Sequence, residues 1–409
     1  MKATNNIFKS FDVLVPKEEF EAFWPVIACD QFTSQPEYWK KLRQAIGDKP
    51  STIHCIIPEA ELSQAAEKTY SDIRETMQSY LSGSIFREYK DSFVYVERRL
   101  PNGDIRQGIV GVIDLEAYDY HTGSSSPIRA TERTVLERIP PRVKIRKSAL
   151  LELSHVLLLC GDSKFSIIEP LQSQVTTKLY DIDLLQGGGH VTGWLVDGML
   201  AEQLRARLEE YCEKPRFGGM LFAVGDGNHS LAAAKAHYEE LKNTDPAPDV
   251  IERARYAMVE LENIYSPIQK LEPIHRLLTG VYPAGVLSFL ERNCCHDGST
   301  DNEYIIEWVS GNRSGRLHLK NENDDIPVYI LQKALDEYFK TEPGELDYIH
   351  GENTLRKLAD RPDAIGFILP KLTKDNFFKT IAQDGSLPRK TFSIGKAKDK
   401  RYYIETRQL

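Results

Sequence analysis

What the sequence lacks narrows it first. Across 409 residues no apolar run approaches the roughly 18 to 20 residues of a membrane-spanning helix. The longest, 149–160, is broken by Glu152 and His155. The N-terminal stretch carries Lys2, Lys9, Asp12 and Lys17 where a signal peptide would have an apolar core. The six cysteines form no C-x-x-C pair, and adjacent Cys294 and Cys295 are badly placed to bridge each other. Reduced thiols, and with them a cytoplasmic location, are the simplest expectation. No two histidines have zincin spacing and no Cys/His set has zinc spacing, so no structural metal is expected. The Gly-Lys-Ser/Thr of a P-loop and the third glycine of a dinucleotide fingerprint are missing too, as are repeats and low-complexity tracts. Positive charge is not in excess either. Lys and Arg total 52 against 60 Asp and Glu, a net charge of −8, which argues against sequence-blind binding of nucleic acid.

What is present is ordinary globular composition, 41% apolar and 27% charged, in a chain long enough for two or three domains. Residues 11–15 and 26–29 read as short strands. Pro36 opens a helix with Tyr38, Trp39 and Leu42 on its apolar face, and 60–82 has a strong helical pattern. A β-hairpin follows, 92–98 and 108–115, around Pro101-Asn102-Gly103-Asp104. The texture changes near residue 285. The division expected is therefore a core over 1–285, with the hairpin inserted in it, and an α+β region over 286–409 that completes the pocket. Between them, Arg129, Arg133, Arg138, Arg142, Lys144, Arg146 and Lys147 crowd one short stretch of an acidic chain. That crowding is either a solvated helix face or one wall of an anion site.

The chemistry concentrates at 220–241. The apolar run Met220-Leu221-Phe222-Ala223-Val224 enters Gly225-Asp226-Gly227-Asn228-His229-Ser230, and a helix follows at about Leu231. The first turn of such a helix offers unpaired amides and the positive end of the dipole to a phosphate or carboxylate. Gly225 and Gly227 allow close backbone approach, Asn228 and Ser230 are capping types, and Asp226 and His229 add an acid and a base.

The segment Val224-Gly-Asp-Gly-Asn-His-Ser-Leu-Ala resembles the Asp-Gly-His-His-Arg loop of a bacterial family known only as domain of unknown function 1015. Four further stretches resemble that family in order: 26–34 (Val-Ile-Ala-Cys-Asp-Gln-Phe-Thr-Ser), 130–134 (Ala-Thr-Glu-Arg-Thr), 273–278 (Pro-Ile-His-Arg-Leu-Leu) and 387–393 (Leu-Pro-Arg-Lys-Thr-Phe-Ser). The resemblance spans nearly the whole chain. The family's loop is in turn similar to one in ParB-type proteins, sulfiredoxins and free serine kinases, where it opens a helix and holds nucleotide phosphates. Sulfiredoxin's cysteine has no counterpart at 225–230. Asn228 and Ser230 replace the family's histidine and arginine, leaving Arg133 or Lys390 to supply the charge.

The resemblance implies an α/β to α+β fold, a mixed sheet with surrounding helices and a ParB- or sulfiredoxin-like core. It also implies phosphoryl transfer on a small hydroxylated metabolite, with serine or phosphoserine as first candidate and Mg2+ with ATP or ADP as cofactor. Asp30, directly after an apolar run, is the first candidate for general base or metal ligand, and Glu132 the second. Gly225, Gly227, Asn228 and Ser230 would hold phosphate. His229, Arg133, Arg276 and Lys390 would balance the charge that builds on the transferred oxygens. His275 with Arg276 after Pro273 reads as an anion clamp or as core. Lys390, Ser393 and Lys396 form a polar terminal segment that either folds over the pocket or stays exposed. The alternative function is a ParB-like nucleotide- or DNA-responsive protein, or a metabolite sensor, without turnover. The oligomeric state is left open.

Overall fold

Alternating side chains set the main sheet. In the strand Tyr256–Asn263, Ala257, Val259 and Leu261 enter one buried cluster and Met258 another, with Glu260 and Glu262 on the same side as Met258. The computed structural model describes residues 7–33, 35–132, 134–214, 217–295, 303–320, 326–384, 387, 390–395 and 399–409. The fold class is mixed α/β, and the chain forms two compact units, residues 1–269 with 395–409, and residues 270–394. The boundary expected near 285 instead falls at 269/270, because position 285 lies inside the helix Pro283–Cys294 and the preceding strand Leu271–Thr279 belongs to the second sheet. The last described segment returns to the first unit.

Among the described residues, the first unit is built on an eleven-stranded sheet. Its order along the main path is Tyr118–Asp119, Ile128–Ala130, Phe222–Asp226, Leu157–Cys160, Tyr256–Asn263, Ile105–Asp114, Phe86–Arg99, His190–Val196 and Lys178–Asp183. Phe222–Asp226 runs parallel to Ile128–Ala130 and antiparallel to Leu157–Cys160, which makes the sheet mixed. The hairpin is not an insertion. Its strands Phe86–Arg99 and Ile105–Asp114 lie within the sheet order, with Val94 opposite Val110, because Phe93 to Val96 are buried on both faces.

One face of this sheet carries the helices Gly198–Glu213 and Asn228–Lys242 through Leu204, Leu208, Leu231 and Ala234. The helix Pro36–Ile46 buries Trp39 and Leu42 with Val26, Ile27 and Tyr402. The strand expected at 26–29 does not form a strand. Its backbone meets the chain terminus instead, with Ile27 bridged to Arg401, the Ala28 amide donating to the Lys400 carbonyl at 3.0 Å, and the Tyr402 amide donating to the Val26 carbonyl at 2.9 Å.

Among its described residues, the second unit has a six-stranded sheet in which Leu271–Thr279 pairs with Glu345–His350, Ala364–Ile368 and Phe392–Ile394, all antiparallel. Its helices Pro283–Cys294 and Pro327–Tyr338 each start at proline, whose missing N–H costs nothing at that position. Among the described residues no helix is long and apolar enough to cross a membrane.

Candidate functional site

The site forms where two parallel strands end together. Ile128–Ala130 and Phe222–Asp226 run side by side, so Glu132 and Asp226 leave the sheet at the same edge, the end at which open α/β sheets bind ligands. Thr131 ties the two exits, its hydroxyl donating to the Val224 carbonyl at 2.7 Å. The sequence break at Gly227 is sharp because this residue has φ +78°, and a Cβ there would come within 3.0 Å of Val156. Only glycine meets both conditions without strain.

The helix starts at Asn228, three residues earlier than the apolar spacing suggested. Its cap is Gly227, and no side chain caps it, so Asn228 and Ser230 are not capping residues. They are the first and third residues of the helix. The Asn228 Oδ1 is buried without a hydrogen-bond partner. Ser230 Oγ lies 3.1 Å from His155 Nε2, and the rings of His155 and Tyr402 stand nearly perpendicular with centroids 5.3 Å apart.

Asp226 turns back on its own loop. Its Oδ1 accepts from the Gly227 amide at 2.8 Å and its Oδ2 pairs with Lys400 Nζ at 2.8 Å. Burial pushes the Lys400 ammonium pKa down, but Asp226, then Asp30, then Glu132 overcome this and hold it above the usual lysine value. Three acids singled out separately, at 30, 132 and 226, therefore converge on one lysine. Asp30 is likewise held below the ordinary carboxylate value. Burial, the largest influence, pushes it up, and His155, Gln31, Lys400 and Arg142 together outweigh that. Gln31 Nε2 donates to Asp30 Oδ1 at 3.0 Å.

His229 accepts at Nε2 from the Val135 amide at 3.2 Å. That bond requires an unprotonated Nε2, so this nitrogen is not an anion donor as arranged. Beside Ser230 lies a cavity of about 110 Å3, lined also by Cys29, Arg142, Arg146, Ala233 and Tyr402. Burial, then Asp30, pushes the Cys29 thiol up to about 11, so it stays protonated at neutral pH.

The basic stretch is not a bare solvated face: Arg129 is buried and donates to the carbonyls of Ser126 and Gly218, and neighbouring acids pair with several of its other charges. Arg142 pairs with Glu59 at 3.0 Å and Arg146 with Glu152 at 2.7 Å, while Lys147 reaches Glu240 and Lys144 reaches Glu67. Arg133 lies outside the described residues. His275 and Arg276 belong to the second unit and are core there, not an exposed clamp. His275 Nδ1 accepts from the Leu369 amide at 3.1 Å. Arg276, fully buried, donates to Gln332 at 2.7 Å and to the carbonyls of Ile274 and Lys390 at 2.7 and 3.0 Å. Lys390 is exposed in the same unit, with its ammonium over Tyr348. The backbone of Ser393 pairs with Glu272, and its side chain and Lys396 lie outside the described residues.

Lys400, His155 and Tyr402 were not singled out by the sequence. Lys400 sits in a run with Lys396 and Lys398, and its charge alone did not set it apart from them. Among the described residues no three His, Cys, Asp or Glu side chains are grouped to hold a metal ion. With Lys400 paired to Asp226 and both Asp226 oxygens engaged, these residues do not form an all-protein magnesium cage.

No curated protein matches the chain. Among solved structures it is similar to SbnI with C-terminal truncation from Staphylococcus aureus, at 10% identity and TM-score 0.37, over 70% of this chain and 82% of that one. It is also similar to a free serine kinase in complex with AMP, at 12% identity and TM-score 0.37, over 69% and 85%. A conserved hypothetical protein from Pyrococcus furiosus gives 11% identity and TM-score 0.36, over 73% and 94%. Similarity at this level carries no argument about the site. The sequence itself matches the family described as protein of unknown function (DUF1015) over residues 8–338, and the chain belongs to that family.

Proposed function

We propose that the first unit is a phosphoryl-transfer enzyme acting on a small hydroxylated metabolite with a nucleotide, and that serine or phosphoserine is the first substrate to assay. The observation that carries this reading is the Asp226–Lys400 pair at 2.8 Å, in the field of Asp30 and Glu132, beside a helix opening that no side chain caps. A helix N-terminus favours a phosphate through its amides and dipole. Gly225 and Gly227 let the phosphate approach, with the amides of Asn228 to Ser230 and the Ser230 hydroxyl facing it.

Asp30, held ionised, accepts the proton of the attacking hydroxyl. As the new oxygen–phosphorus bond forms and the bond to the leaving oxygen breaks, Lys400 and the helix amides balance the charge on the phosphoryl oxygens. Asp226 positions Lys400, Glu132 adds to the same field, and His229 braces the loop at Val135. Magnesium held on the nucleotide phosphates would add positive charge at the transferred group.

The test is incubation of the full chain with ATP or ADP, magnesium, and serine or phosphoserine, with products followed by mass spectrometry. Transfer of a phosphoryl group in any combination supports the reading for serine. Folded protein that is silent in all of them removes serine chemistry, and silence that extends to a panel of other small alcohols removes phosphoryl transfer.

A further inference from the structure

His155 takes no part in the reaction proposed above, yet its ring is set beside a hydroxyl of the site helix. Ser230 Oγ lies 3.1 Å from His155 Nε2, the reach of a nucleophile from its base. A helical serine often returns its hydroxyl to a carbonyl three or four residues back on its own helix. This one crosses to an imidazole 75 residues away in the chain. With Nε2 unprotonated, the hydroxyl hydrogen points to His155 and the lone pairs of the oxygen are left for an electrophile. A serine that only held phosphate would aim that hydrogen at the phosphate.

The imidazole is anchored through the residues on either side of it. The Ser154 hydroxyl donates to the Met258 carbonyl at 2.6 Å, and the Ser154 carbonyl accepts from the Tyr403 amide at 2.9 Å. The Val156 carbonyl accepts from the Glu260 amide at 3.0 Å and from the Tyr403 hydroxyl at 2.8 Å. Anchoring of this kind keeps a reacting pair in register. A third group is present as well. Burial pushes the Asp30 carboxyl up, and His155 is the first of the neighbours that together outweigh it. An imidazole that gains a proton there faces an ionised carboxylate.

Ser230 is half-buried and belongs to the wall of the cavity of about 110 Å3. At about 10 to 15 Å3 for each water-sized atom, that is more space than a phosphoryl group fills. As the third residue of the helix Asn228–Lys242, Ser230 also carries its oxygen within the first turn, where the dipole and the amides favour a phosphorylated serine.

We infer that Ser230 is the nucleophile of a double displacement, taking the phosphoryl group from the nucleotide before the metabolite does, with His155 as its base. The inference rests on the phosphoryl-transfer reading and adds to it a covalent phosphoserine at position 230. In the first step a lone pair of Ser230 Oγ forms the bond to the terminal phosphorus, and the hydroxyl proton passes to His155 Nε2. The bond to the bridging oxygen breaks, and its electron pair leaves on the shortened nucleotide. In the second step the metabolite's hydroxyl gives its proton to Asp30 while its oxygen bonds to the same phosphorus. Ser230 Oγ leaves with the electron pair and recovers its proton from His155.

The test incubates the full chain with magnesium and ATP, and separately with ADP, in the absence of any alcohol. Intact mass and peptide mapping should find one added phosphoryl group, at Ser230, and labelled nucleotide should exchange isotope with its shortened form. Ser230→Ala should lose the label, the exchange and the turnover. His155→Gln should slow labelling by about a hundredfold or more. Exchange separates a nucleophile from a serine that orients phosphate, because without an alcohol only a covalent acceptor on the protein allows it. If His155→Gln does not fold, Ser230→Ala decides alone. A small alcohol phosphorylated at similar rates by wild type and Ser230→Ala, with no label and no exchange, overturns the inference and leaves phosphoryl transfer standing. Label at another residue also overturns it. No label, no exchange and no product with either nucleotide removes both.

Discussion

Lys400 and Asp226 meet at 2.8 Å, although one lies in the last described segment and the other at the end of a central strand. The remaining acids of the site share that one ammonium. Replacing it by methionine leaves the half-buried Asp226 carboxylate without its paired ammonium. With side chains 24% and 19% exposed, solvent screens part of the loss, and Lys400→Met should cost about 1–3 kcal/mol in urea unfolding at neutral pH. Lys400→Arg should restore most of the stability. The stabilisation is complete below the ordinary lysine value of 10.5 and is lost as pH climbs through the higher value of the folded state, so wild type and Lys400→Met should converge in strongly alkaline buffer.

Asp30→Asn separates the base from the fold. The substitution keeps the shape and removes the proton acceptor, so turnover should fall by a hundredfold or more, about what general-base catalysis supplies. Nucleotide binding, followed by calorimetry, should change little. Because the folded value of Asp30 lies below its ordinary 3.8, the wild-type rate should show no loss from this group as pH falls from 8 to 5. A rate limb centred near pH 6 would assign the base elsewhere.

Gly227→Ala tests the turn. The new methyl group meets a left-handed backbone and the wall at Val156 together. The expected loss is about 1–3 kcal/mol, with amide NMR shifts centred on residues 226–231. A stability change within a few tenths of a kcal/mol would mean that the turn relaxes without strain.

Glu262 gives a pH signature remote from the proposed chemistry. Burial, only partly offset by Arg106, raises it from 4.5 to about 7. The folded state therefore binds a proton that the unfolded state has released, and this group lowers stability as pH rises from about 4.5 to 7. Its slope approaches about 1.4 kcal/mol per pH unit and levels off above that window. Glu262→Gln should remove this contribution, so its stability minus that of wild type, measured by chemical unfolding, should grow from pH 5 to 7 and then stay flat.

The parts of this molecule that a single sequence disclosed are those set by neighbours in the chain. The apolar run into Gly225, the glycine at 227 and the helix after it are local chemistry, as are Trp39 and Leu42 on one helical face. Asp30 was marked as a candidate by the apolar run directly before it, again a local signal. The missed features depend on distant encounters. Residues 26–28 are apolar like a strand, but the backbone they meet is the segment 400–402, which no local pattern announces. Arg142 and Arg146 read as surplus charge because Glu59 and Glu152 come to them from elsewhere in the fold. The hairpin read as an addition because its length and turn are those of a free-standing ribbon, whereas burial on both faces fixes it inside the sheet.

The return of residues 395–409 to the first unit has a consequence for how the chain is made. Synthesis must run through the second unit before Lys400 exists, so the pair with Asp226 cannot form until residues 270–394 have been made. Once the intervening unit has folded, it shortens the span over which the two flanks must find each other, which lowers the entropy of that closure. The pairing of Asp226 with Lys400 thus waits on the second unit.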